Sequence, residues 1–264
     1  MAIITLLSDW GDTDYYVAAV KGRILQDLPN ATIVDITHKI PHFNTREAAY
    51  VLRHAYHHFP KGTIHIIGVN TEESLEEPHL AVLYDGHYFI GADNGIFSLI
   101  FEKEKKPEKV YSIEIPQDSE KYTFSGLHRF AKAAVLLAQG ENIETLGAPY
   151  PSLQQKLDYE PSFNHSGIRG MVIHIDPYNN AITNISRELF ERIIGKKPFT
   201  IYFKGYSCEE IGESYADAGG EANHVCLFGS NDLLEIALKN AEAASLMGLQ
   251  VNDPVIINIL PDQI

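Results

Sequence analysis

The segment MVIHIDPYNNAITNI, beginning at Met171, runs as an apolar strand into Asp176, Tyr178, Asn179 and Asn180 before apolar residues resume. A carboxylate at a strand end suits a cationic amino group, and an asparagine amide donates and accepts at once, which suits an adenine edge. The same residues would also make a sound Pro-Asn turn between two strands. Ser8-Asp9-Trp10-Gly11 lies between a β-branched run and an amphipathic stretch. At the carboxyl end of a strand in an open α/β sheet, Asp9 can receive both hydroxyls of a ribose, or serve as a cap. Gly229-Ser230-Asn231-Asp232 precedes an apolar run of helical spacing, where Ser230 can be an N-cap. Histidine as a residue type titrates near neutrality, which makes His38 a candidate base, or else a loop-structuring residue. His54, His57 and His58 lie on a predicted helix at a spacing that could bind a metal, and are expected instead to be surface or partly buried histidines.

These residues need elements to hold them. Short β-branched runs at Ile3–Leu7, Thr32–Ile36 and Thr63–Val69 alternate with amphipathic stretches at Tyr15–Gln26 and Thr45–His57, the pattern of a largely parallel sheet flanked by helices. Ala81–Tyr84 and Tyr88–Ile90 around Asp85-Gly86-His87 read as a hairpin, and Asp93-Asn94-Gly95 as a tight turn. Phe130–Ala138 has helical spacing and Gly140 is placed to end it. Prolines and serines between Pro149 and Gly167 mark a connection, giving an α/β domain over 1–160 and a smaller, barrel-like β-rich domain over 161–264. Within the second, Met171–Ile175, Phe199–Phe203, Val225–Phe228 and Val255–Leu260 read as strands, with one helix over Asp232–Ser245.

The chain has 264 residues, 45% of them hydrophobic, enough for two ordinary domains. Its 21 basic residues against 35 acidic ones give a net charge of −14, which repels nucleic-acid backbones and anionic membrane surfaces. No apolar run approaches the roughly 20 residues of a membrane helix. Two cysteines, Cys208 and Cys226, are too few for a disulfide framework or a zinc site and read as inert structural thiols in a reducing compartment, so a cytoplasmic protein is expected.

The opening string TLLSDWGDTDYYVAAVKG with Ile33-Val34-Asp35-Ile36-Thr37-His38, the turn Asp93-Asn94-Gly95, and the stretch Asp176 to Asn184 together resemble the family of S-adenosylmethionine hydrolases and halogenases. The resemblance implies that Asp9 holds the ribose beside Trp10, Asp176 the methionine amino group, Asn180 the adenine, and Ser230 the substrate carboxylate. It also implies that Tyr178 packs on the base. No cofactor is implied, S-adenosylmethionine or adenosine being the ligand, and three subunits are expected to assemble with the small domain of each completing its neighbour's site.

In the hydrolases, an aspartate, an arginine and a histidine hold the attacking water. The aspartate lies in a Val-Asp-Pro-Gly-Val-Gly loop that here reads Val69-Asn70-Thr71-Glu72-Glu73-Ser74; the arginine falls on Glu77; the histidine falls on Ser125. His128, three residues on, is a candidate replacement. Hydrolysis through Asn70, Glu77, Ser125 and His128 is therefore one expectation, a degenerate binding protein a second, and halide transfer the weakest, since the halogenases' tyrosine is also absent at Asn70.

Overall fold

The protein is described here by a computed structural model, over residues 2–116, 123–219 and 223–261. It divides into two compact units, Met1–Leu157 and Asp158–Ile264.

The first unit alternates as its sequence pattern predicts. Strand β1 (Ile3–Ser8) leads to helix α1 (Tyr16–Asp27), β2 (Thr32–Thr37), helix α2 (Thr45–Ala55) and β3 (Ile64–Gly68). The hairpin β4 (His79–Tyr84) and β5 (His87–Ala92) follows, then the short helix α3 (Ile96–Ile100), β6 (Lys109–Ser112) and helix α4 (Ala131–Ala138). The sheet order is β2-β1-β3-β5-β4-β6, with β2, β1, β3 and β5 parallel and β4 and β6 antiparallel to their neighbours. Parallel strands need both faces covered, and β3 accordingly is buried along its whole length. On one face Val20, Ile24, Phe130, Ala134 and Leu137 pack against Ile4, Ile64 and Ile66; on the other, Ala48, Ala49 and Leu52 of α2 meet Leu7, Ile67 and Phe89. Asn44 caps α2 by accepting from the Glu47 amide at 3.1 Å. The hairpin turns through Asp85 and Gly86, both at positive φ (49° and 72°), as a two-residue loop requires.

The second unit is an antiparallel, nearly closed barrel. Its elements are β7 (Ser162–Asn164), β8 (Gly167–Ile175), β9 (Ala181–Ser186), helix α5 (Arg187–Ile193), β10 (Phe199–Phe203), β11 (Tyr206–Cys208), β12 (His224–Phe228), β13 (Leu233–Leu238), helix α6 (Ala243–Met247) and β14 (Pro254–Ile259). The strand order is β11-β10-β14-β8-β9-β13-β12, with β7 beside β8. Ile168, Val172, Ile201, Phe203, Leu234, Ile236 and Ile257 fill the core.

The helix expected over Asp232–Ser245 is not formed. Leu233–Leu238 is instead the strand β13, paired with β12 on one side and β9 on the other, and only Ala243–Met247 is helical. Leu234, Ile236 and Ala237 are fully buried, so both faces of this strand are covered and the run Leu-Leu-Glu-Ile-Ala-Leu lacks the alternation that marks a half-exposed strand. Helix α5 was not anticipated, although Ser186 caps it through the Leu189 amide at 3.1 Å.

Candidate functional site

In the first unit the candidate residues gather at the carboxyl ends of β1 and β3. Register pairs Ser8 with Gly68, and the Asp9 amide donates to the Gly68 carbonyl at 3.3 Å. Buried Asp9 accepts from the Phe43 amide through Oδ2 at 2.9 Å and so holds Phe43 at φ 64°, a left-handed conformation costly for that residue. Ser8 Oγ lies 2.7 Å from Nδ1 of buried His38, whose carbonyl accepts from the Gly11 amide at 2.8 Å. His38 thus ties the β1 loop to the segment after β2.

Trp10 is the wall of this corner. Its ring lies on the bare backbone of Gly68, where a Cβ would overlap it, and of Gly126, where a Cβ would sit 2.6 Å from the indole. Phe124 meets it edge-on at 5.3 Å, and Tyr16 meets Phe124 edge-on at 4.8 Å. Two glycines let one indole bind β3 to the turn carrying Ser125. That turn begins at Phe124 (φ 63°), whose carbonyl accepts from the Leu127 and His128 amides, and it winds as a π-helical turn from Gly126 to Phe130 before α4. Such turns are frequent at functional sites. Ser125 is buried; His128 is half-buried one turn further on.

Asn70, two residues beyond β3, is left-handed (φ 48°), and its carbonyl accepts from Asn94 Nδ2 at 2.9 Å. The same Asn94, in the predicted Asp93-Asn94-Gly95 turn, also reaches the Val69 carbonyl at 3.2 Å. Asp93 is fully buried and accepts from the Gln154 amide on both oxygens; burial pushes its carboxyl up to about 6, the Gln154 bond opposing and nearby Glu77 adding to the rise. Glu77 closes a small turn of its own, its amide donating to Ser74 Oγ at 2.9 Å.

The acidic loop between Asn70 and Pro78 is held from an unexpected side. Arg129, within the π turn, donates to Glu73 at 2.5 Å and lies 3.1 Å from Nδ1 of buried His79. His79 Nε2 is 2.9 Å from the Thr71 carbonyl. A carbonyl only accepts and a guanidinium only donates, so Nε2 carries the proton and Nδ1 is bare. Burial likewise holds His79 below its usual range. The neutral ring is a bridge between Arg129 and the loop.

In the second unit, Asp176 organises the β8–β9 turn. Its Oδ1 accepts from the Tyr178 amide at 2.9 Å and the Asn180 amide at 2.7 Å, and its Oδ2 from Asn180 Nδ2 at 3.1 Å. The turn role is thus real, yet Oδ2 keeps an acceptor position, and buried Asn180 keeps one amide proton and its oxygen. Tyr178 is 80% exposed. Ser230 caps no helix, which corrects the expectation. It sits in the β12–β13 turn, where the Asp232 amide donates to the Gly229 carbonyl at 3.0 Å and Asp232 takes φ 55°.

A residue the sequence reading passed over lies between these two turns. Glu235, buried on β13, accepts from Tyr215 Oη at 2.8 Å and lies against Gly229, where a Cβ would meet Oε2 at 2.9 Å. Burial raises its carboxyl and the charge of Asp176 raises it further, against the Tyr215 bond; Tyr215 in turn is pushed up to about 12. An acid inside an apolar run was the signal, hidden by reading that run as a helix.

Comparison with known proteins matches both units in turn. Residues 4–147 fit the SAM hydroxide adenosyltransferase N-terminal domain and residues 170–256 the C-terminal domain. The chain belongs to the SAM hydroxide adenosyltransferase family. It is 30% identical to an (R)-S-adenosyl-L-methionine hydrolase of Methanocaldococcus jannaschii, over 96% of this chain and 94% of that one. A fluorinase of Nocardia brasiliensis is 26% identical over 97% of each chain. Among solved structures, an uncharacterized conserved protein from Thermotoga maritima superposes with a TM-score of 0.87 at 25% identity, covering 97% of this chain and 99% of that one. Within this family fold, Asp9 and Trp10 follow β1, Asn70 follows β3 and Ser125 lies in the turn packed under Trp10; in the second unit Asp176 and Asn180 precede β9, and Ser230 lies in the β12–β13 turn beside the other end of β9. Among the described residues, no helix is long and apolar enough to cross a membrane.

Proposed function

We propose that this protein hydrolyses S-adenosylmethionine to adenosine and methionine. Water attacks the ribose C5′ in line with the sulfonium, the C5′–S bond breaks, methionine leaves as a neutral thioether, and one proton is released. A sulfonium is already a good leaving group, so the protein need only orient water and keep the cation desolvated. The observation that carries the reading is the β8–β9 turn of a chain that matches the family over both units: Asp176 keeps an acceptor position on Oδ2, and buried Asn180 keeps an amide proton and its oxygen. Asp176 then takes the ammonium group, Asn180 and Tyr178 the adenine, Ser230 the carboxylate, and Asp9 with Trp10 the ribose.

Asn70 and Ser125 orient the water in this reading, with Glu77 or His128 accepting its proton. The site forms between subunits of a cytoplasmic homotrimer, without metal or cofactor. A second reading, a non-catalytic S-adenosylmethionine or adenosine binder, is favoured by Asn70, whose amide cannot take a proton from water. Incubating the purified protein with S-adenosylmethionine and resolving the products by chromatography separates the two. Adenosine and methionine appearing together support hydrolysis; calorimetric binding without adenosine over hours supports the second reading; a 5′-halogenated nucleoside that needs added chloride would point to halide transfer. An Asp176→Ala variant that binds as well as the parent overturns all three.

A further inference from the structure

Strands β11 and β12 are the two ends of the barrel's strand order, yet their edges meet. The Gly212 amide, just past β11, donates to the Cys226 carbonyl at 2.8 Å, and Gly212 bridges Leu227 in parallel. His224 Nε2 reaches the Ser207 carbonyl at 2.9 Å across the same gap. One cysteine stands on each side. Cys226 is fully buried in the barrel core, and half-buried Cys208 packs against it. Both side chains belong to one core cluster, Cys226 within it and Cys208 packed against it, and Cys208 Sγ donates to the Glu210 carbonyl at 3.1 Å. Cys208 opens onto a cavity of about 500 Å³ lined also by Glu210, Gly212 and His224.

We infer that Cys208 and Cys226 form a peroxide-sensitive dithiol whose oxidation staples the seam of the barrel. Inert packing is the alternative, since a free cysteine often serves as a small apolar side chain. The asymmetry of the pair argues against it. The neighbouring Cys226 side chain, with His224, draws the Cys208 thiol below its usual range, towards the reactive thiolate, while Cys208 and burial push Cys226 up. Cys208 opens onto a cavity while Cys226 is sealed in the core cluster against which Cys208 packs, the arrangement of an attacking and a resolving cysteine. A metal would need a third donor, and no group of three assembles among the described residues.

The chemistry balances with hydrogen peroxide as the two-electron oxidant. The Cys208 thiolate attacks one peroxide oxygen, an S–O bond forms, the O–O bond breaks, and hydroxide leaves, giving the sulfenic acid. The Cys226 thiol then displaces the hydroxyl from Cys208 sulfur, forming the disulfide and releasing water. The staple joins β12, which leads directly to the Gly229-Ser230 turn, to the opposite edge of the barrel.

The test is mass spectrometry of the full-length wild-type protein after peroxide treatment. Expected are loss of both thiols, a mass lower by two hydrogens, a proteolytic fragment linking Cys208 to Cys226 within one chain, and a rise in Tm that dithiothreitol reverses. In Cys226→Ser, a dimedone adduct should appear at Cys208 in place of the cross-link. Retention of both thiols under excess peroxide, a cross-link only between chains, direct passage of Cys208 to sulfinic acid, or no dimedone adduct in Cys226→Ser would overturn the inference.

Discussion

The substitution Gly126→Ala tests whether the indole of Trp10 organises the first unit's corner. The new methyl would stand 2.6 Å from the ring carbons, where carbon atoms rest at about 3.5–4.0 Å, so the ring or the turn must yield by about 1 Å. Such overpacking costs about 1–3 kcal/mol, while replacing a helical glycine by alanine returns up to about 1 kcal/mol, so the net loss of stability is small. Catalysis should suffer more, because a misplacement of about 1 Å can lower a rate about 100-fold. Trp10 is the only tryptophan in the chain, so its emission reports the corner directly. The assay is adenosine formation beside fluorescence and thermal melts. Expected are a shifted emission maximum, a near-normal Tm, and a rate down about 100-fold. The double variant Trp10→Phe with Gly126→Ala should lose less than the two single losses together, since the smaller ring removes the clashing atoms. Unchanged emission and rate in Gly126→Ala, or simple additivity in the double variant, would refute the reasoning.

Other outcomes follow from individual groups. Asp93 is raised from 3.8 to about 6 in the folded protein, so the folded state binds the extra proton; the contribution of Asp93 to stability is greatest at low pH and falls as pH rises from about 4 to 6, by up to about 3 kcal/mol. Urea melts of Asp93→Asn should show that slope flattened. Arg129→Gln leaves buried His79 Nδ1 without its charged donor and frees Glu73, and should cost about 1–3 kcal/mol in chemical denaturation while opening the 72–77 loop to limited proteolysis. Glu235→Gln keeps a partner for Tyr215 but removes a buried charge. It should be more stable than the parent at neutral pH, with the excess shrinking as pH falls and Glu235 takes up its proton, and should bind S-adenosylmethionine less tightly relative to the uncharged thioether S-adenosylhomocysteine by calorimetry.

Where the chain announces one structure by two independent signals, the sequence was sufficient. The β1 to β3 alternation carries both periodicity and composition, the Asp85-Gly86 hairpin carries turn chemistry, and the Asp93-Asn94-Gly95 turn is formed where expected. Leu233–Leu238 failed because a strand covered on both faces looks like a helix segment until its partners are known. The position of Ser230 failed with it. The Arg129–His79–Glu73 clasp was illegible for another reason: Arg129 is 50 residues from His79 and 56 from Glu73, and reaches them only through the packing of the π turn. The approach of Cys208 to Cys226 depends on closure of a barrel whose edge strands share no regular ladder, so nothing local records it.

What the departures at Asn70, Glu77 and Ser125 demand of the mechanism follows from the leaving group. Methionine departs without protonation, so no acid is required, and the only proton to move belongs to the attacking water. A positioned base is worth about 10²–10⁴-fold when proton transfer accompanies bond formation, but attack on a sulfonium carbon is complete in the main before that proton becomes strongly acidic. In the proposed hydrolysis, holding water in line in an apolar corner is then the larger contribution, and the corner is built by Trp10, seated on Gly68 and Gly126, with Phe124 and Tyr16 packed edge-on beside it. On this argument Glu77→Gln lowers the rate less than Gly126→Ala does. A Glu77→Gln variant that is the more damaged of the two, with Kd for S-adenosylmethionine unchanged, would place the burden on proton transfer and reverse the ranking.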